Sequence, residues 1–454
     1  MFDYCVNDED QSEERREMAW QSLVHVCRRW RRIVFGSPRH LKLQLICTRR
    51  TPARDTLDVW PALPLVILCY NGYNIENLDN VLAVLERSDR VCRITLWEVE
   101  SSDLEIILAA MQQPFPELAY LWLHSDGEMV PVDPDSFLGG SAPRLECLYL
   151  GGITFPGLPK LLLSATHLVD LHLYRIPHSG YISPEVMVTA LSSLTSLDDL
   201  WLEFQSPRSC PDQASRRPPP STHTVLPVLI SFTFRGVTEY LEDLVARIDA
   251  PRLNRLHIAL FNDTIFDTPQ LIQFISLTPM PRALEKARIF LQKRDASLDF
   301  SSRTPNDGNI NVKPLCRGLD WQVSSLEQVC TSCLPPLSNL EDLYIYDDPY
   351  EQPDWKDDND NELWLQLLHP FTAVKNLYLS EEIAQRIGPA LQELTEGRTT
   401  EVLPALQNIF LKGLEPSGPV QEGIATFVAA RQVSSHPIEV SSWVYSDSDK
   451  EYYY

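Results

Sequence analysis

The sequence predicts an α/β repeat array, an irregular solenoid with parallel strands on its concave side and helices outside. Three observations predict it. An apolar triad recurs along most of the chain, helical spacing fills the intervals, and 44% of the 454 residues are hydrophobic. That content is ample for a core and argues against wholesale disorder.

The triad has the form apolar-x-x-apolar-x-apolar. It runs Val91/Ile94/Leu96, Leu118/Leu121/Leu123, Leu145/Leu148/Leu150, Leu168/Leu171/Leu173 and Leu197/Leu200/Leu202. It continues as Leu229/Phe232/Phe234, Leu253/Leu256/Ile258 and Leu284/Ala287/Ile289, then Leu340/Leu343/Ile345, Val374/Leu377/Leu379 and Leu406/Ile409/Leu411. The first eight starts are 27, 27, 23, 29, 32, 24 and 31 residues apart. Repeats of ~20–29 residues with this pattern are the leucine-rich-repeat signature. The last two apolar residues lie two apart, so in a strand they share the inward face and the residue between them points outward. One unit cannot bury its apolar side alone, whereas stacked units share a core. The gap between Leu284 and Leu340 is about two repeats, and Ile310-Asn311-Val312 is expected to fill it as a degenerate strand.

Leu104–Met111 and Tyr240–Ala246 carry apolar residues at helical spacing and are expected outside the strands. The Asn that regularly follows three residues after the last Leu is replaced by Asp126, Ile153, Ile176 and Gln205. Without that side-chain ladder at the turns, and with variable lengths, the array is expected to be irregular.

Composition divides the chain. Residues 1–50 form a short N-terminal helical segment and 60–415 the repeats. The Pro/Ser/Arg-rich stretch 205–225 and the acidic stretch 347–362 are expected as loops, and 432–454 as a flexible tail. In the N-terminal segment Trp20, Leu23, Val24, Cys27, Trp30 and Val34 fall on one helical face, ringed by Arg28, Arg29, Arg31 and Arg32, and Gly36-Ser37-Pro38 stops the helix.

The run Leu23–Val34, and Val26-Cys27-Arg28-Arg29-Trp30 within it, resembles the second half of an F-box. Arg54–Pro61 and Leu319–Leu326 are similar to the fungal branch of the F-box and leucine-rich-repeat substrate receptors. The resemblance implies docking to the adaptor of a cullin–RING ubiquitin ligase, with a protein substrate on the repeats and transfer chemistry left to other subunits. Leu23, Val26, Cys27, Trp30 and Val34 are the residues it implies for adaptor binding. An F-box opens with a Leu-Pro segment and an apolar first helix; this chain starts Met1-Phe2-Asp3-Tyr4, which reads as a truncated F-box. Residues 20–34 can equally cap the edge of the array, and a stand-alone interaction module is the alternative function.

The outward residue of each triad is the candidate partner contact. These are Thr95, Trp122, Tyr149, His172, Trp201, Thr233, His257, Arg288, Tyr344, Tyr378 and Phe410. Aromatic residues dominate binding hot spots, so Trp122, Tyr149, His172, Trp201, His257, Tyr344, Tyr378 and Phe410 are the expected grip on a protein partner. Packing of these rings on one another, or a lid formed by the tail or by the 205–225 loop, would also account for them.

A net charge of −23 disfavours nucleic acid, which is held through neutralised phosphates. No apolar run approaches the ~18 residues of a membrane span. The ten cysteines read as small buried hydrophobes of a cytoplasmic or nuclear protein. The Cys330-Thr331-Ser332-Cys333 pair lacks the further ligands of a zinc site, the acidic stretch lacks EF-hand spacing, and His167, His172 and His178 do not converge. Hydrolase, nucleotide-binding and zincin motifs are missing. No catalytic site, cofactor or metal is expected.

Overall fold

The computed structural model describes residues 25–36, 44–48, 54, 57–58, 62–69, 78–125, 136–155, 157–207, 223–261, 268–280, 284–293, 295–302, 308–315, 319–332, 337, 339–348, 361–395, 398, 400–413 and 421–443. The chain divides into two compact units, Met1–Leu226 and Pro227–Tyr454.

Unit 1 contains α1 (Arg28–Gly36), β1 (Leu45–Thr48), β2 (Leu65–Cys69), α2 (Leu78–Leu85), β3 (Val91–Val99), α3 (Ser101–Ala110) and β4 (Tyr120–Ser125). It continues with β5 (Cys147–Gly151), α4 (Leu158–Ser164), β6 (Asp170–Ile176), α5 (Pro184–Leu191), β7 (Asp199–Phe204) and the short β8 (Thr224–Val225). Strands β1 to β7 lie side by side in chain order, all parallel. Long connections make this possible, since parallel neighbours need a crossover and not a tight turn. At α5, for example, Pro184 supplies the preset φ of a first turn and the Ser183 hydroxyl accepts from the Val186 N–H.

Unit 2 contains β9 (Ser231–Gly236), α6 (Thr238–Val245), β10 (Ile248–Asp249), β11 (Arg255–Phe261), α7 (Pro269–Leu277), β12 (Lys286–Leu291), β13 (Ala296–Ser301) and β14 (Asn309–Leu315). Then come α8 (Leu319–Ser332), β15 (Asp342–Asp347), α9 (Asn361–Leu368), β16 (Asn376–Leu379), α10 (Glu381–Gln392), β17 (Asn408–Lys412), α11 (Glu422–Val433) and β18 (Glu439–Trp443). Its sheet order is β9-β11-β14-β13-β12-β15-β16-β17-β18.

All eleven apolar triads are buried in full. They form the inward layer of each sheet, as the two-residue period requires.

The expectation of purely parallel strands fails at 286–315. There β12, β13 and β14 form an antiparallel meander, and β14 lies beside β11 while β12 lies beside β15. The expected strand at Ile310-Asn311-Val312 exists, but it precedes 286–291 in spatial order. The cause is loop length. Gln292 N–H donates to Asp295 O at 2.9 Å, so the chain reverses within four residues and no helix can cross over. Gln322, fully buried on α8, donates to Gln292 O at 2.8 Å and ties this turn to the helix.

The turns also depart from expectation in an intelligible way. Two residues after the last inward Leu, the backbone adopts positive φ at Glu98 (57°), Gly152 (68°), Arg175 (49°) and Gly413 (77°). The ladder shifts register between Leu96 and Val99, and again between Leu173 and Ile176. The kinks at Glu98, Gly152 and Arg175 swing the next residue inward, so Val99, Ile153 and Ile176 are buried. Apolar side chains thereby fill the position of the missing Asn, and the irregularity takes the form of bulges.

Strands extend past both limits of the expected repeats. The ladder of unit 1 starts at Leu45, inside the 1–50 segment, and the ladder of unit 2 ends at Trp443, inside the tail expected to be flexible over 432–454. Strand β18 forms because Ile438 is buried and Val440 lies opposite Ile409, so the chain end adds one more parallel strand. Residues 208–222, 349–360 and 444–454, the bulk of the expected loops and tail, lie outside the described residues.

Candidate functional site: the outward strand faces

On unit 1, register brings Leu68, Thr95, Trp122, Tyr149, His172 and Trp201 into one file across six strands. The file one position N-terminal on the same face is Arg93, Tyr120, Cys147, Asp170 and Asp199. On the other side stand Trp97, His124, Tyr174 and Glu203.

The rings cover one another. Trp97 meets Trp122 edge-on with centroids 5.0 Å apart and stacks on His124 at 4.4 Å. Trp122 lies 5.3 Å from Tyr149, and Tyr149 lies 4.6 Å from His172. His172 and Tyr174 both pack on Trp201, at 5.7 and 5.2 Å. Gly151 makes the His124 position possible, because a Cβ there would come within 2.3 Å of the imidazole. Arg93 stacks its guanidinium 4.4 Å above Tyr120. Cross-strand pairs of this kind stabilise a sheet by ~0.2–1 kcal/mol each, so part of the aromatic content is structural.

Polar contacts thread the rings. The Tyr149 hydroxyl and the Cys147 thiol both donate to Asp170, at 3.3 and 3.2 Å. His172 Nδ1 shares a hydrogen bond with the Tyr174 hydroxyl at 2.5 Å, and its Nε2 lies 3.4 Å from Asp199 Oδ2. Trp201 Nε1 donates to Glu203 at 3.4 Å. Burial, then the bond to Asp170 and the charges of Asp170 and Glu146, push the Cys147 thiol up to about 12, so it keeps its proton at neutral pH. Burial and the nearby carboxylates also push the Tyr149 and Tyr174 phenols up.

On unit 2 the corresponding file is Thr233, His257, Asn311, Asp299, Arg288, Tyr344, Tyr378, Phe410 and Ser441. Tyr344 stacks on Tyr378 at 4.1 Å, and Tyr378 on Phe410 at 4.5 Å, with planes within 10°. Trp443 of β18 packs across Tyr344 and Tyr378 at 5.8 and 5.6 Å. Beside this stack Asn408, Asn376 and Asp342 form a side-chain ladder.

The eight expected contacts therefore separate. Trp122, Tyr149, His172 and Trp201 are contiguous on unit 1, and Tyr344, Tyr378 and Phe410 on unit 2. His257 stands exposed between Thr233 and Asn311 on unit 2, four strands from Tyr344. Sequence reasoning missed Trp97, His124 and Tyr174, although each follows a triad's last Leu directly and so shares the outward face. It also missed Trp443.

Of the adaptor residues, Val26 is 61% exposed, Cys27 is exposed, Trp30 half-buried and Val34 fully buried, and Leu23 lies outside the described residues. Ile33 is also exposed. Among the described residues no group of three or more His, Cys, Asp or Glu could hold a metal ion, and no helix is long and apolar enough to cross a membrane.

No family model matches the chain. No curated protein matches it either. Among solved structures it is similar to the leucine-rich repeat-containing protein LegL7 from Legionella pneumophila, at 12% identity, with 87% of this chain and 98% of that chain covered and a TM-score of 0.28.

Proposed function

We propose that the chain is a protein-binding module, each unit a leucine-rich-repeat array that presents its outward strand face to a partner and performs no chemistry of its own. The observation that supports this is the contiguous file Trp122–Tyr149–His172–Trp201, in which both tryptophans and the tyrosine remain partly open to solvent. Rigid aromatic side chains are favoured interface anchors. A pull-down that compares the unmodified chain with the Trp122→Ala/Trp201→Ala variant tests it. The set of retained proteins should shrink, and an unchanged set counts against the face.

The finer reading is a substrate receptor of a cullin–RING ubiquitin ligase. It rests on the F-box resemblance of 23–34, joined by one observation: Val26 and Ile33 are large apolar side chains left exposed on the N-terminal helical segment. Such residues suit a surface that a second protein covers. Co-purification with the ligase adaptor, abolished by Val26→Asp/Ile33→Asp, is the expected result. A chain that binds partners through Trp122 and Trp201 yet never retains the adaptor is a stand-alone interaction module.

A further inference from the structure

The outward face of unit 1 carries carboxylates that no fixed cation answers. Asp170 receives only neutral donors, the Cys147 thiol and the Tyr149 hydroxyl. Asp199 has one oxygen 3.4 Å from His172 Nε2, and its Oδ1 is enclosed without a hydrogen bond. Neither meets an Arg or Lys side chain among the described residues. The guanidinium of Arg93, at the edge of the face, is stacked on Tyr120. The Tyr174 phenol senses the resulting field, since after burial the largest causes of its upward shift are the Asp199 and Glu203 carboxylates. Negative charge and partly open rings are thus interleaved. Ring faces and carboxylates attract the same type of group, a cation that can also stack.

We propose that this face binds an extended peptide segment through arginine side chains, whose guanidinium groups lie over Trp122, Tyr149 and Trp201 with their charge against Asp170 and Asp199. The inference rests on the protein-binding reading and adds the chemistry of the partner. Arginine fits better than lysine, because a planar guanidinium stacks on the rings while its charge faces the carboxylates. The same charge pattern repels phosphate, so the occupant is a protein and not a nucleic acid.

The test uses the full chain and two labelled synthetic peptides, an Arg-Gly-Ser repeat and its citrulline counterpart, which keeps the shape and loses the charge. Binding is read by fluorescence anisotropy at about 150 mM salt, where surface attraction is screened beyond ~8 Å. The arginine peptide should bind about tenfold more tightly than the citrulline peptide, and Asp170→Asn/Asp199→Asn should remove about that advantage. Asparagine keeps the size and one acceptor oxygen at each position while removing the charge, and circular dichroism checks the fold. The control is Glu105→Gln/Glu185→Gln, two exposed residues on α3 and α5, which should leave the affinity within about twofold. An equal loss in the control overturns the inference, because the peptide then responds only to the acidic chain as a whole. If both peptides bind equally and Trp122→Ala/Trp201→Ala abolishes both, the cation preference falls while the protein-binding reading stands. If neither peptide depends on the aspartates or the tryptophans, the inference fails, and the pull-down decides the broader reading separately.

Discussion

Asn408 donates from its side-chain amide to Asn376 Oδ1 at 2.8 Å, and Asn376 donates in turn to Asp342 Oδ1 at 2.7 Å. The three side chains stand in register on β17, β16 and β15. Asn376 is the middle rung. Its removal takes one donor from the largely buried Asp342 and the acceptor from the Asn408 amide. A hydrogen bond contributes about 0.5–1.5 kcal/mol, and more to a charged group, so Asn376→Ala should lower the urea midpoint by the equivalent of about 1–3 kcal/mol. Asn408→Ala, at the end of the ladder, should cost less.

The positive-φ positions predict opposite signs for two substitutions. Gly152 has φ 68°, and a Cβ there would sit 2.9 Å from Ser125 O, a backbone atom that cannot yield cheaply. Gly152→Ala should therefore destabilise by about 2 kcal/mol. Glu98 holds φ 57° without being glycine. Glu98→Gly relieves that strain at the expense of unfolded-chain entropy, and the expected net effect is a gain of up to about 1 kcal/mol. Thermal melts of both variants check the pair.

Arg431 is fully buried on α11 and ends among backbone carbonyls, with Nη2 2.5 Å from Leu403 O and 3.4 Å from Val402 O. Burial lowers its pKa. Arg431→Met keeps much of the volume and strands those carbonyls. The loss should be about 2–3 kcal/mol, the range for hydrogen bonds to a charged group and their orphaned acceptors. A denaturant titration reads it.

Cysteine chemistry should follow exposure and burial. Burial first, opposed by Arg90, pushes the Cys47 thiol up to about 12, and Cys147 reaches the same value. Among the described cysteines, iodoacetamide near pH 8 should label the exposed Cys27 first and leave Cys47 and Cys147 protected, as mass spectrometry would show. Asp170→Asn removes causes of the Cys147 shift and should speed its labelling. The sign for stability follows from linkage. Both thiols ionise in the unfolded chain near 9.0 and in the folded chain near 12. Their contribution is therefore complete below about pH 9 and is lost as pH rises toward 12.

Much of this architecture was legible because burial follows a fixed period. Each Leu-x-x-Leu-x-Leu triad placed its inward side chains and, by alternation, its outward ring. Trp122 and Tyr149 could thus be assigned neighbouring places before any coordinate was known. The meander was not legible. Its reversal at Gln292-Lys293-Arg294-Asp295 contains neither glycine nor proline, the residues that announce tight turns, and Ala296–Ser301 carries no triad. Trp443 escaped notice for a different reason. Its place over Tyr344 and Tyr378 depends on β18 pairing with β17, a long-range contact that a polar composition conceals.

The meander also bears on the order in which unit 2 assembles. Most neighbouring strands in this unit close only after a helix-bearing excursion of the chain, whereas Leu291 faces Ala296 across a single short reversal. Loop-closure entropy favours the nearer pair, and hairpins form within ~1–10 μs. Strands β12 and β13 are thus placed to nucleate the unit, with β14 and β15 joining on either flank and growth spreading in two directions. Pulse-labelled hydrogen exchange should find the amides of 286–301 protected before those of β16 to β18.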